Sequence, residues 1–167
     1  MARRRRAEKL CACGAPSGLC PDRSTRTLGV MTEMQSLAFR RLGKPDEDGL
    51  IRLEIRAQNE IISAIGEGLT SAKNIVFFAD TLNSFPKQLP DSASFSAVGC
   101  GCDVVISVKT LNSSGHVGIK VLIQEDDHSR GNSAILWLKT QPNALMGFAQ
   151  QLRRVADLTS EFAKLPA

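Results

Sequence analysis

From residue 50 onward the chain alternates apolar and polar side chains with two distinct periods. Ile51, Leu53, Ile55 and Ala57 are separated by Arg52, Glu54 and Arg56. A period of two with one apolar and one charged face predicts a half-buried antiparallel strand. Gln58-Asn59 reads as a turn into a second strand over Glu60–Ile65, which Gly66 and Gly68 should end. The period then changes. Ile75, Phe78, Ala79, Leu82 and Phe85 recur at helical spacing behind a capping residue at Thr70 or Ser71, and Pro86 and Pro90 close the segment.

A short extended piece is expected around Phe95–Val98, and three clearer strands follow. Val104, Ile106 and Val108 share one face, and Val117, Ile119, Val121 and Ile123 share another. Asn112-Ser113-Ser114-Gly115 between them has turn chemistry. The third strand, Asn132–Thr140, is apolar on both faces: Ala134, Leu136 and Leu138 on one, Ile135 and Trp137 on the other. Such a strand is either central in its sheet or covers a partner. Pro142 suits the first turn of a helix, and Leu145, Phe148, Ala149, Leu152, Val155 and Ala156 make its apolar stripe. That helix could run to Phe162.

The order β-β-α-β-β-β-α predicts an α+β two-layer sandwich: a mainly antiparallel sheet of about five strands with two helices on one face. The domain is expected over residues 48–165. Residues 1–47 are expected to form a basic, cysteine-containing, disordered N-terminal extension. No internal repeat of 20–50 residues stands out. No apolar run is long enough to cross a bilayer, and Leu10–Pro16 is too short and too broken for a signal peptide. A cytoplasmic location follows.

Charge changes the picture once it is divided. The net charge of the whole chain is +4. Arg3, Arg4, Arg5, Arg6, Lys9, Arg23 and Arg26 outweigh Glu8 and Asp22 in residues 1–30, while residues 31–167 carry 14 basic and 15 acidic side chains, a net of −1. Nucleic-acid association is therefore expected only through Arg3–Arg6.

Candidate chemistry is thin. Cys11, Cys13 and Cys20 lack a fourth metal ligand nearby, and Cys100 and Cys102 flank a single glycine. Reduced thiols without a metal are expected. Ser113-Ser114-Gly115-His116 reads as a turn, without a nucleophile elbow. Glu125-Asp126-Asp127-His128 could begin a general-base or metal arrangement, yet adjacent residues of one loop seldom converge on a point. No phosphate-binding glycine loop is present. Catalysis by a small metal- or histidine-dependent hydrolase using His116 and His128 is the alternative reading. The leading one is a non-catalytic domain with no cofactor, no metal and no membrane, binding a protein partner. Its expected contact surface is Glu125, Asp126, Asp127, His128, Ile135 and Trp137.

The last third also carries a resemblance. Gly115-His116-Val117-Gly118-Ile119-Lys120-Val121 precedes an acidic loop and Ala134-Ile135-Leu136-Trp137-Leu138. Thr140-Gln141-Pro142-Asn143-Ala144-Leu145-Met146-Gly147-Phe148-Ala149 and Gln151-Leu152-Arg153 follow. This cadence resembles a class of small bacterial α+β proteins, similar in element order to Wap-type immunity proteins, over about residues 50–157. The resemblance implies a domain that neutralises a contact-dependent toxin by binding it. Immunity proteins of that kind typically present an acidic patch to a basic toxin.

Overall fold

The alternating segments become strands, and there are more of them than their periodicity announces. The computed structural model describes residues 35–85, 92–112, 115–125 and 131–167. In chain order the elements are β1 (Ser36–Arg41), β2 (Leu50–Gln58), β3 (Ser63–Ser71), α1 (Ala72–Asn83), β4 (Ser92–Ala97), β5 (Cys102–Thr110), β6 (Val117–Glu125), β7 (Ser133–Thr140), α2 (Pro142–Ala156) and β8 (Phe162–Pro166). The fold is α+β and antiparallel throughout, as expected. The strands number eight rather than five, and they form two four-stranded sheets. Sheet I has the order β3-β2-β1-β8, and sheet II the order β4-β5-β6-β7.

Two strands lie where none was expected. β1 falls within the supposed extension, yet it pairs with both β2 and β8 and buries Leu37 and Phe39 completely. The chain divides into the units Met1–Met31 and Thr32–Ala167, so the folded unit begins before residue 48. β8 follows α2, which ends at Ala156 instead of continuing to Phe162. β3 runs straight through Gly66 and Gly68, which do not end it.

Those glycines have a packing cause. A β-carbon on Gly68 would lie 2.7 Å from the Ala97 carbonyl carbon, and one on Gly66 would lie 2.7 Å from a Val104 methyl. Glycine in a strand commonly marks such a close approach. Here β3 presses its bare inner face against sheet II, and Leu69 and Val98 exchange backbone hydrogen bonds of 2.9 and 3.1 Å. The core between the layers is apolar, with Phe39, Phe95, Phe148 and Phe78 as its aromatic centre. Phe39 meets Phe95 and Phe148 edge-on at centroid distances of 5.3 and 5.5 Å. α1 and α2 pack together, joined at the surface by the Arg153–Asp80 ion pair. Ser71 caps α1 by accepting from the Asn74 amide at 3.2 Å, while α2 opens on Pro142.

The registers expose a duplication that the sequence reading missed. Ser63–Leu82 matches Ser133–Leu152 position by position, keeping Ser, Ala, Ile, Thr, Phe, Ala and Leu at 63/133, 64/134, 65/135, 70/140, 78/148, 79/149 and 82/152. Ile75, Phe78, Ala79 and Leu82 are buried in α1, and Leu145, Phe148, Ala149 and Leu152 are buried at the matching positions of α2. Each sheet leads through its last hairpin strand directly into its helix. The ladders match in the same way, with β2 answering to β6, β1 to β5, and β8 to β4. The first unit is completed by β8 from the far end of the chain. Its period of about 70 residues and this split strand put it outside the repeat lengths that a sequence scan favours.

All four edge strands have backbone groups satisfied from outside their own sheet. The Lys164 amide of β8 donates to the Gln151 side chain at 2.8 Å, and the Lys139 amide of β7 donates to the Gln35 side chain at 3.0 Å. On β3 the Glu67 amide donates to Cys102 Sγ, and that thiol donates to the Glu67 carbonyl, both at 3.0 Å. On β4 the Ser96 carbonyl accepts from Thr70 Oγ1 at 3.4 Å. Such caps block edge-to-edge pairing with other chains.

Candidate binding face on sheet II

Of the six residues expected to form one contact surface, Glu125, Ile135 and Trp137 are described, and Glu125 does not share a face with the other two. Asp126, Asp127 and His128 lie outside the described residues, as do Arg3–Arg6, Cys11, Cys13, Cys20, Ser113 and Ser114. Glu125 ends β6 on the side of the inward-facing Ile123. Its Oε2 accepts from the backbone and side-chain amides of Asn132, both at 3.1 Å. It borders a cavity of about 500 Å³ together with Gly66, Cys102 and Ala134. Ile135 and Trp137 point the other way, out of sheet II, and are 50% and 56% exposed. Period-two alternation separates them from Glu125. β7 is an edge strand, so its double-sided apolar character does not mark a central position.

Strand register assembles the outer face of sheet II as rows. Trp137 stands beside Lys120, and Lys120 beside Ser107. The next row is Ile135, Leu122 and Val105, a continuous aliphatic band across three strands. On the other side of the tryptophan row, Lys139 and Lys109 flank Gly118. Strands two apart lie about 10 Å apart, so the lysines form a triangle of roughly that size, with Trp137 beside its Lys120–Lys139 edge. The Leu111 side chain fills the space over Gly118, where a β-carbon would meet it at 2.7 Å. Among the described residues no carboxylate forms an ion pair with Lys109, Lys120 or Lys139. Asp103, on the same face, turns its Oδ1 toward the Gly99 amide at 3.3 Å.

The outer face of sheet I is different. Two of its arginines are matched internally: Arg52 with Glu67 at 2.6 Å and Arg56 with Glu54 at 2.8 Å. The hydrogen bond from Arg56 holds the Glu54 carboxyl below the usual carboxylate range, against the opposing effect of its burial. Hydrogen bonds to Glu67 and Glu54 raise Arg52 and Arg56 correspondingly. A carboxylate with a depressed folded pKa contributes stability above its unfolded pKa, and loses it as pH falls through the folded value. Replacing Glu54 by Gln is therefore expected to reduce the loss of stability between neutral and acid pH. Equal pH dependence of the urea midpoint in variant and wild type would refute this.

The remaining candidates stay local. His116 Nδ1 lies 3.2 Å from the Asn112 side chain, and Asn112 Oδ1 accepts from the His116 amide at 3.1 Å. This is turn chemistry that brings up no acid. Cys100 is exposed, and the Cys102 thiol is occupied by the β3 backbone. No three His, Cys, Asp or Glu among the described residues are placed to hold a metal ion. No helix among them is long and apolar enough to cross a membrane.

Sequence reasoning found Ile135 and Trp137 but missed Lys109, Lys120, Lys139, Leu122 and Val105. The period-two pattern assigns each of these an outward face, yet only the lateral register places them together. No family model and no curated protein matches the chain. Among solved structures, the plant transcriptional regulator PBF-2 aligns with a TM-score of 0.40 and 10% identity. The alignment covers 75% of this chain and 78% of that one. A likeness at that level carries no argument about function.

Proposed function

We propose that the domain is a non-catalytic protein-binding module whose contact surface is the outer face of sheet II. The observation that supports this is the exposed Trp137, next to an aliphatic band and to lysines without acidic partners among the described residues. Large aromatic anchors with apolar neighbours and a polar rim are the anatomy of protein interfaces, and tryptophan is enriched among their hot spots. The surface is held by a sheet with a buried underside, so it is preorganised, and less ordering cost opposes binding.

Glu125 is not part of this surface, because it faces the other side of the sheet. Toxin neutralisation of the immunity type is one function that such a surface could serve.

A photo-crosslinking amino acid at position 137 is expected to capture a discrete protein adduct in cells producing the full chain. The same residue at Phe77, 71% exposed on α1, should not. Equal, diffuse labelling from both positions would sink the assignment. Once the partner is in hand, Trp137→Ala should weaken binding about 30-fold, the effect of a ~2 kcal/mol hot spot.

A further inference from the structure

Resting on that reading, we infer that the face of sheet II takes an acidic polypeptide, a segment that carries carboxylates beside aliphatic side chains. Three features select it. The first is charge. Residues 31–167 have a net charge of −1, yet this face presents Lys109, Lys120 and Lys139, and its one described carboxylate, Asp103, accepts from the Gly99 amide. Near-neutrality of the domain thus conceals a segregated positive surface. Lysines with no ion pair among the described residues have none of those to lose when carboxylates arrive, and complementary charge speeds encounter and rejects basic competitors.

The second feature is the band Ile135–Leu122–Val105. Aliphatic side chains gain by covering other apolar side chains. Single-stranded nucleic acid is instead held by aromatic platforms that stack successive bases. Trp137 is the single tryptophan of the chain, tyrosine is absent, and no phenylalanine stands on this face. Arginine, the side chain suited to bidentate phosphate contacts, is also missing from the described strands of this face. Among the described strands the arginines, Arg40, Arg41, Arg52 and Arg56, lie on sheet I, where Arg52 and Arg56 are bound to glutamates.

The third feature argues against a second copy of the chain. A two-fold contact places the same patch on both sides. Here it would set the lysine triangle against itself, with Asp103 as the one described carboxylate of the face. An acidic occupant also reverses the charge expected from immunity proteins that meet basic toxins. If the module neutralises a toxin through this face, the toxin surface it covers is acidic.

The test uses the full chain and the emission of its lone tryptophan, with amide NMR shifts to locate binding. Three probes are compared: a synthetic peptide of Asp, Glu, Leu and Ser, its counterpart with Lys in place of the acids, and oligo(dT). Only the acidic peptide is expected to shift Trp137 emission and the amides around Lys120 and Leu122. The double variant K120E/K139E should weaken it at least tenfold. A fold check by circular dichroism accompanies the variant. Failure of the acidic peptide to perturb this face overturns the inference. Tighter binding of the lysine peptide or of oligo(dT) at Trp137 overturns it too, but leaves the face as a binding surface. If crosslinking from position 137 also yields no discrete adduct, the functional reading falls with it.

Discussion

Phe39→Ala is expected to destabilise the domain by about 3–5 kcal/mol, the range for removing a fully buried phenylalanine from a core that cannot collapse around the gap. Phe39 sits on β1, an interior strand of sheet I, and is 0% exposed. Its ring touches Phe95 from sheet II and Phe148 from α2. One side chain therefore joins both sheets and the second helix. Domains of this size have roughly 5–15 kcal/mol in hand, so this loss is a large share of the total. Phe77→Ala, on the exposed face of α1, is the matched control and should cost within about 0.5 kcal/mol. Urea unfolding of both variants checks the pair. Similar midpoints for the two would show that Phe39 is not the keystone of the core.

Gly68→Ala should cost about 3 kcal/mol, at the upper end of overpacking, although it adds a single methyl group. The new carbon would lie 2.7 Å from the Ala97 carbonyl carbon and 2.8 Å from its oxygen. Backbone cannot rotate aside, so β3 and β4 must separate and loosen the Leu69–Val98 hydrogen bonds. Gly66→Ala meets methyl ends of Val104 and Ile123, which can adjust, and should cost less. Gly147→Ala meets nothing within 4 Å in the interior of α2. Removing a helical glycine there should stabilise by roughly 0.5–1 kcal/mol. The order Gly68 worst, Gly66 intermediate, Gly147 favourable is readable from thermal midpoints. A Gly68→Ala protein as stable as wild type would disprove the close approach of the layers.

These substitutions mark where the sequence was legible and where it was not. The alternation in Ile51–Ala57 and Val117–Ile123 and the stripes of both helices were plain, because each depends on neighbours in the chain. β1 was not, since Ser-Leu-Ala-Phe-Arg-Arg offers only two large apolar residues and ends in charge. β8 is shorter still and carries Pro166, tolerated because an edge strand needs fewer amides. Gly66 and Gly68 read as a stop, because the surface they make room for lies about 30 residues further along. The binding face was half legible for the same reason. Ile135 and Trp137 share a strand, but Lys109 and Lys120 reach them only through pairing.

The duplication has a consequence for how the chain is threaded. Gln35 and Ala167 meet through a 3.1 Å hydrogen bond, so the first and last described residues lie side by side. Followed across that junction, the elements form a ring of two equivalent halves, each four strands and then a helix. The natural order cuts the ring inside one half, after its first strand. That strand, β8, must return across the whole length of the domain to reach β1. A circular permutant joined at that junction and opened between α1 and β4 would make both halves contiguous. The pairings within each sheet would all become local, and the β8–β1 closure would shrink to a hairpin-scale connection. The present order therefore commits the molecule to a high-contact-order route, in which half of the ring cannot close until the last strand is available.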